Sequence, residues 1–358
     1  MVIVKLYKDK LFNFTEIFNE QTGILIRTNI LDKNGNETLA EPKMRSFPEL
    51  IDIGIMGKCH VNQKYCKKFG VDCYQANNIY DDMDFEDYKK IIDQCKHKTF
   101  QVALGGRGDP NKHKDFGRIL KYTYENGIIP NLTTTGMLLC DSEIKLMKKY
   151  CGAVAISLYS KIIVKGNINV ESNIHSIDAI NRLVANGIIT NIHYVISRDT
   201  IDDIIYRLDN NLIPSGINAI IFLLYKPVGL ANKEKMININ DEKFIKFINI
   251  INKKKYNFKI GFDTCFSPII ITKLKNINKN SVEFCEAARF SCYISPNMTM
   301  YPCSFIQNSS FGIDLRSNSI EKAWMSIKFK KFRNNKKSNF EGCCPYGLNL
   351  FVFDKNKI

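Results

Sequence analysis

The feature that most constrains the fold is a regular alternation of apolar runs and amphipathic segments between Pro48 and about Tyr225. The apolar runs, such as "LIDIGIM" and "FQVALGG", are short and continuous, which is typical of strands that are covered on both faces. The segments between them carry helix signals, with Asp84 as an N-cap and Asn-Gly pairs as C-terminal stops. Repeated units of this kind predict parallel strands joined by right-handed crossovers.

The number of these units predicts an incomplete barrel. We count six strands with five intervening helices, and the segment "DEKFIKFINIINKKKY" adds a sixth helix. An α/β fold, a partial (β/α)6 TIM-like barrel, is therefore expected for residues 48–257, with its chemistry at the carboxyl ends of the strands. Residues 1–47 are predicted to form a small N-terminal β-hairpin cap, and residues 258–358 a cysteine-rich extension.

The chain is strongly basic, with 51 Lys and Arg against 36 Asp and Glu. The lysines are spread through every predicted helix, so a general compositional bias explains the charge better than a nucleic-acid site does. No early stretch has the apolar core of a signal peptide, and the run "INAIIFLLY" is far shorter than the roughly 20 residues of a membrane helix. These observations predict a soluble cytoplasmic protein with no membrane partner.

The chain contains 12 cysteines, which is a number that needs a chemical reason. A reducing cytosol disfavours disulfides, so metal binding or catalysis is the better explanation. One group lies at 59–73 and a second at 265–344. The remaining three fall in or beside predicted helices and strands and are expected to be small buried side chains: Cys95, Cys140 and Cys151.

The first cysteine group follows the first predicted strand and favours an iron–sulfur cluster. The three thiolates of Cys59, Cys66 and Cys73 can hold such a cluster and leave one iron without a protein ligand. Structural zinc usually takes ligands in close pairs, which this loop lacks, and zinc and an unmetallated loop stay as alternatives. One strand–helix unit later, Gly105 and Gly106 end a strand and let a small polar ligand approach bare backbone.

In these two motifs the chain resembles the radical SAM superfamily. Its cysteine spacing is C-x6-C-x6-C where the family's usual spacing is C-x3-C-x2-C, and "GGRGDP" at 105–110 is similar to the family's Gly-Gly-x-Gly-Glu-Pro pattern. The resemblance implies a catalytic [4Fe–4S] cluster on Cys59, Cys66 and Cys73 that binds S-adenosylmethionine. An electron from that cluster would release a 5′-deoxyadenosyl radical from the bound cofactor.

The resemblance also implies which residues contact S-adenosylmethionine. Gly105, Gly106 and Asp109 would place its methionine end. The segments "AISLYS", "NIHYVIS" and "LLYKPVG" are similar to cofactor-lining strand ends of the family, and they contribute the other candidates, Ser157, Ser197 and Tyr225. His193 is expected to be a core histidine. No general acid or base is evident, so the catalytic residues are unassigned.

The C-terminal cysteines resemble those of the SPASM/twitch extensions of radical SAM enzymes, in which a β-hairpin and later cysteines hold an auxiliary [4Fe–4S] cluster. The motifs are "CEAARFSCYISPNMTMYPCSF" and "GCCPYG". The candidate ligands are Cys285, Cys292, Cys303, Cys343 and Cys344, with Cys265 as a further one. These exceed the four ligands that one cluster needs, so they are not all assigned, and structural zinc is the alternative.

The resemblance to this branch implies an enzyme that abstracts hydrogen from a ribosomally synthesised peptide or a protein. It also implies an electron donor such as flavodoxin or ferredoxin. An RNA-modifying radical SAM enzyme is an alternative, motivated by the basic charge. A zinc-stabilised, non-enzymatic binding protein is an alternative from another class. The substrate and the bond that is made are not predicted.

Overall fold

The computed structural model describes residues 4–60, 67–68, 72–77, 79–166, 168–275, 277–278 and 281–334. Three predicted metal ligands, Cys66, Cys343 and Cys344, lie outside the described residues. Among the described residues, no helix combines the length and the apolar character that crossing a bilayer would need.

The N-terminal strands form an antiparallel sheet of their own: β1 (Val4–Asp9), β2 (Phe14–Asn19) and β3 (Leu25–Arg27). The sequence predicted a β-hairpin in this region, whereas the structure has a sheet of three strands. Strand β2 alternates between buried Phe14, Glu16 and Phe18 and half-buried residues, because one face of the sheet packs on the rest of the protein. Phe18 stacks on Phe100 with 5.0 Å between ring centroids.

A large mixed sheet contains the predicted parallel strands. They are β4 (Leu50–Met56), β5 (Gln101–Gly106), β6 (Ile129–Thr134), β7 (Val154–Ser157), β10 (Thr190–Ile196), β11 (Ala219–Leu224) and β12 (Lys259–Phe262). Their order across the sheet is β12-β11-β10-β7-β6-β5-β4. The predicted α/β fold with parallel strands is confirmed, with β12 as one strand more than expected. A separate hairpin, β8 (Ile162–Lys165) and β9 (Ile168–Glu171), follows β7.

Helices alternate with these strands as the sequence predicted. They are α1 (Phe85–Cys95), α2 (Phe116–Glu125), α3 (Asp141–Tyr150), α4 (Ile174–Ala185), α5 (Ile201–Asp209) and α6 (Glu242–Lys253). Asp84 caps α1 by accepting a hydrogen bond of 2.9 Å from the Glu86 amide, which confirms the predicted N-cap. Gly127 has φ +72°, as a left-handed helix stop requires.

The core lies between the strands and these helices. Ile51, Ile53 and Ile55 of β4 are fully buried on the face that packs towards the helices. Burying each such side chain contributes about 1.5–3 kcal/mol relative to exposure. Cys95 is fully buried, as predicted, whereas Cys140 is exposed before α3, because it caps that helix and does not pack in the core.

The C-terminal part extends the same sheet. Its elements are α7 (Ser267–Lys273), β13 (Ser291–Ile294), β14 (Thr299–Tyr301), β15 (Ile313–Asp314), α8 (Ile320–Trp324) and α9 (Ile327–Asn334). The predicted hairpin is confirmed as β13 and β14, which pair antiparallel. β13 also runs parallel to β4, with Tyr293 opposite Asp52, which the sequence did not predict. The cysteine-rich extension is therefore fused to the first strand of the barrel.

A buried charged cluster joins the N-terminal sheet to this extension. Arg27 of β3 bonds to Glu49 before β4, and to Glu283 at 2.9 Å and Glu286 at 2.7 Å. Arg45, which is fully buried, pairs with Glu16 of β2 at 2.7 Å. Burial raises the pKa of Glu16 to about 9, although Arg45 acts to lower it. The cluster ties three distant parts of the chain together.

Candidate functional site

The first candidate site lies after β4, where Cys59 and Cys73 flank the predicted cluster loop. Both thiols are half-buried, and they are close enough to influence each other. Burial raises the pKa of Cys73, a hydrogen bond from the Gln75 backbone lowers it, and Cys59 raises it again. Such thiols are ionised when they coordinate a metal, so the donor set fits a soft metal centre. Cys66, the third predicted ligand, is outside the described part of the chain.

Backbone contacts hold the two ends of this loop. The amide of Gly57 donates to Asp82 Oδ1 at 2.8 Å. The carbonyl of Cys73 accepts from the amides of Ala76 and Leu230, both at 3.3 Å. Gly229 has φ +69°, and a Cβ there would lie 2.4 Å from the Tyr74 carbonyl oxygen, so only glycine permits this approach. The loop after β11 therefore braces the third cysteine.

The two glycines at the end of β5, Gly105 and Gly106, have different environments. A Cβ at Gly105 would meet none of the described atoms within 4 Å, so its backbone borders open space. Gly106 has φ +122°, and a Cβ there would lie 2.3 Å from the Met56 carbonyl oxygen. The same carbonyl accepts from the Arg107 amide at 2.9 Å. Gly106 is thus required by the packing of β5 on β4, whereas Gly105 leaves room for a ligand.

Asp109 fixes the strand ends to one another. Its carboxylate accepts hydrogen bonds from the Thr135 amide at 2.8 Å and the Thr135 hydroxyl at 2.6 Å. His60, next to the first cysteine, lies 3.4 Å from the same carboxylate. Asp109 is 5% exposed. It therefore braces the segments after β5 and β6 against the cluster loop.

The remaining cofactor candidates lie at the ends of β7, β10 and β11. Ser157 is half-buried and lies opposite His193 in the parallel pairing of β7 and β10. Ser197 is fully buried, and its hydroxyl lies 3.1 Å from the Thr200 hydroxyl. The Tyr225 hydroxyl donates to Asp72 at 3.0 Å, next to the third cysteine. Burial, and then Asp72, raise the pKa of Tyr225 above its ordinary value.

The interior of the barrel contains two polar groups: Asp52, which the sequence analysis missed, and His193, which it expected to be a core histidine. Asp52 lies opposite Ala103 of β5, and burial raises the pKa of its carboxyl to about 6. His193 lies 3.5 Å from Thr133, and burial lowers the pKa of its imidazole to about 4. A cavity of about 330 Å³ is bordered by Ala103, Thr133 and His193. The signal for Asp52 was an acidic residue inside the apolar run "LIDIGIM".

The C-terminal cysteines divide into two places. The thiols of Cys265, Cys285 and Cys303 are close enough for Cys265 to be influenced by the other two. Cys292 lies elsewhere, because in β13 it is opposite Ile51 and faces the hydrophobic core, where Cys95 is its neighbour. The structure therefore does not bring Cys292 to the other candidate ligands, and it adds Cys265, which the sequence analysis held only as a further candidate.

Some of the described thiols are close to one another, but they do not converge on a point where a metal ion would bind. Within the described ranges, no three His, Cys, Asp or Glu side chains are arranged to hold a metal ion. Both predicted ligand sets include residues outside those ranges. The described donors at the two sites are half-buried soft thiols, and thiolates are the ligands that iron–sulfur clusters use.

Comparison with known protein families and with curated proteins gives two findings. Residues 285–345 match the SPASM iron–sulfur cluster-binding domain. A stretch of 181 residues is 27% identical to an S-adenosylmethionine-dependent nucleotide dehydratase from Selenomonas ruminantium, and it covers 47% of this chain and 57% of that protein. The chain thus spans little more than half the length of this curated relative.

The fold is similar to those of solved structures. Streptococcus suis SuiB bound to S-adenosylmethionine is 15% identical with a TM-score of 0.69, over 99% of this chain and 98% of that one. SuiB bound to its precursor peptide SuiA is 15% identical with a TM-score of 0.67, over 93% and 91%. Native anSMEcpe with bound AdoMet is 14% identical with a TM-score of 0.54, over 83% and 88%.

The chain therefore has a match to an iron–sulfur cluster-binding domain at residues 285–345 and a fold similar to those of SuiB and anSMEcpe, whose structures hold S-adenosylmethionine.

Proposed function

We propose that this protein reductively cleaves S-adenosylmethionine and abstracts hydrogen from a ribosomally synthesised peptide or a protein. The observation that carries the proposal is that Cys59 and Cys73, which influence each other, follow β4, and that the parallel neighbour β5 ends in the open backbone of Gly105. A [4Fe–4S] cluster with S-adenosylmethionine supplies a 5′-deoxyadenosyl radical when both are bound. In this proposal residues 48–257 form the catalytic core, 1–47 the cap, and 258–358 hold a second cluster.

The chain's own residues have three roles in this proposal. Cys59, Cys66 and Cys73 hold the cluster, and the backbone at Gly105 receives the methionine end of the cofactor. The Asp109–Thr135 contact keeps that backbone rigid, which preserves the reacting geometry.

A peptide or protein substrate is supported by the SPASM match and by the fold shared with SuiB, whose structure holds its precursor peptide. The extension that carries the match continues the barrel sheet through β13. An electron donor such as flavodoxin or ferredoxin completes the proposal, and the formal charge of +15 favours acidic partners.

A nucleotide substrate is the second candidate. The observation that favours it is the 27% identity to the nucleotide dehydratase over 181 residues. Nucleotides, which are anionic, would also be attracted by the net positive charge of the chain. Consumption of a nucleotide, coupled to cofactor cleavage, would distinguish this candidate from the peptide reaction.

The test of the proposed function is cofactor cleavage by the reconstituted protein. Anaerobic protein with dithionite and S-adenosylmethionine is expected to release 5′-deoxyadenosine, and to contain about eight irons if two four-iron clusters form. Measurement is by chromatography and by iron and zinc analysis. A colourless protein that binds only zinc, with no product, would refute the proposal.

Gly105→Ala separates ligand binding from folding. The new methyl group meets open space in the folded chain, so the thermal midpoint is expected to stay within about 2 °C of the parent. If the methionine end of the cofactor lies there, the dissociation constant for S-adenosylmethionine rises at least tenfold, about 1.4 kcal/mol. Equilibrium dialysis of the cluster-loaded protein measures this, and an unchanged constant would contradict the placement.

A further inference from the structure

A buried lysine stands beside the C-terminal cysteines. Lys226 follows β11 and is only 7% exposed. Its ammonium donates to the Leu224 carbonyl at 3.0 Å and forms an ion pair with Asp263. It also lies 4.6 Å from the centroid of the Phe305 ring. Three separate segments thus hold this cation in one place.

The partners of Lys226 are the sequence neighbours of two candidate metal ligands. Asp263 precedes Cys265 by two residues, and Phe305 follows Cys303 by two. Lys226 is close enough to Cys265 for the two side chains to interact electrostatically. Burial alone lowers the pKa of Lys226, but Asp263 raises it above the ordinary value, so the side chain is a fixed positive charge.

A fixed positive charge favours the reduced form of a nearby iron–sulfur cluster. Reduction by one electron adds one negative charge to the cluster, and the net charge around a cluster and its burial help to set its potential. Coulombic attraction is strong where water is excluded, as around Lys226. The carboxylate of Asp263 acts in the opposite direction, so the net effect of the pair on the reduction potential depends on both charges.

The same lysine lies between the two proposed cluster sites. Tyr225, its neighbour, bonds to Asp72 beside Cys73. The ring of Tyr74, which follows Cys73, contacts Phe305 with 4.5 Å between centroids. The Lys226 charge is therefore linked through the Phe305 ring to the segment that carries the first cluster.

We propose that Lys226 sets the reduction potential of the cluster held by Cys265, Cys285 and Cys303, and that Asp263 limits this effect. This inference rests on the proposed function, since it requires a second iron–sulfur cluster. It assigns to the end of β11 an electrostatic role that is separate from binding S-adenosylmethionine. Lys226 and Asp263 then have effects of opposite sign on the reduction potential of this cluster.

The experiment isolates the C-terminal cluster by using full-length protein with Cys59→Ala and Cys73→Ala. The protein is reconstituted with iron and sulfide, and a dithionite titration is followed by electron paramagnetic resonance. Lys226→Met is expected to shift the equilibrium towards the oxidised cluster about tenfold, which is about 59 mV for a one-electron couple. Lys226→Arg should restore most of the parent potential, and Asp263→Asn should shift it in the opposite direction.

Lys243→Met is the matched control, since it removes a lysine of α6 from an exposed ion pair with Asp202 of α5. It should leave the potential unchanged. A bound cluster whose potential does not respond to Lys226→Met overturns the inference alone. If the parent background binds no iron, the proposed second cluster fails and the inference with it. If the Lys226→Met variant cannot bind the cluster, the Asp263→Asn variant provides the test. A reduction potential in Asp263→Asn that is unchanged, or shifted so that the oxidised cluster is favoured, would refute the role of the Lys226–Asp263 pair.

Discussion

Cys73→Ala is expected to abolish the release of 5′-deoxyadenosine while the C-terminal iron remains. The remaining thiolates cannot hold a cubane with one open iron in the same geometry, so the cofactor loses its anchor. Iron content should fall from about eight to about four per chain, and product should fall below detection, at least about a hundredfold. Anaerobic assays with dithionite, together with iron analysis, measure both quantities.

Cys140→Ala is the matched control for this prediction. Cys140 is exposed at the start of α3, outside both candidate sites, so its replacement should leave iron content and cleavage unchanged. Normal cleavage by Cys73→Ala would show that another residue completes the ligand set. Loss of all iron in that variant would instead show that the two sites do not form independently.

Arg27→Met is expected to destabilise the fold by about 3–5 kcal/mol. The guanidinium bridges buried Glu49, half-buried Glu286 and exposed Glu283, and its removal leaves the buried Glu49 carboxylate without its cation. Trp324 is the only tryptophan and is fully buried, with its indole nitrogen 2.8 Å from the Arg45 carbonyl. Its fluorescence during urea denaturation therefore reports on this region.

Arg118→Met provides the comparison for this stability measurement. Its ion pair with Asp115 is exposed on the arginine side, so the expected loss is at most about 1 kcal/mol. If the two variants lose the same free energy of unfolding, the ion pairs of Arg27 contribute no more to stability than a surface ion pair does. Arg27→Met should also weaken retention of the C-terminal iron, because Glu286 adjoins Cys285.

Local sequence patterns predicted the strand–helix alternation and the chemistry at the strand ends. Continuous apolar runs and capping signals depend on neighbouring residues, so the strands and the N-cap at Asp84 could be read without the fold. The hairpin of β13 and β14 was predicted for the same reason. β12 was missed because its four residues form a strand only by pairing with β11.

The sequence by itself determined the fold class and the order of the strand–helix units. It also determined that Cys59 and Gly105 lie at one end of a parallel sheet, because each of them lies at or just after the end of its own strand. Only the tertiary structure decided which distant groups meet. The pairing of β13 with β4 turns Cys292 into the core. The return of the chain after β11 and β12 brings Lys226 to Asp263. Such contacts depend on strand register and crossover geometry, which no local pattern encodes.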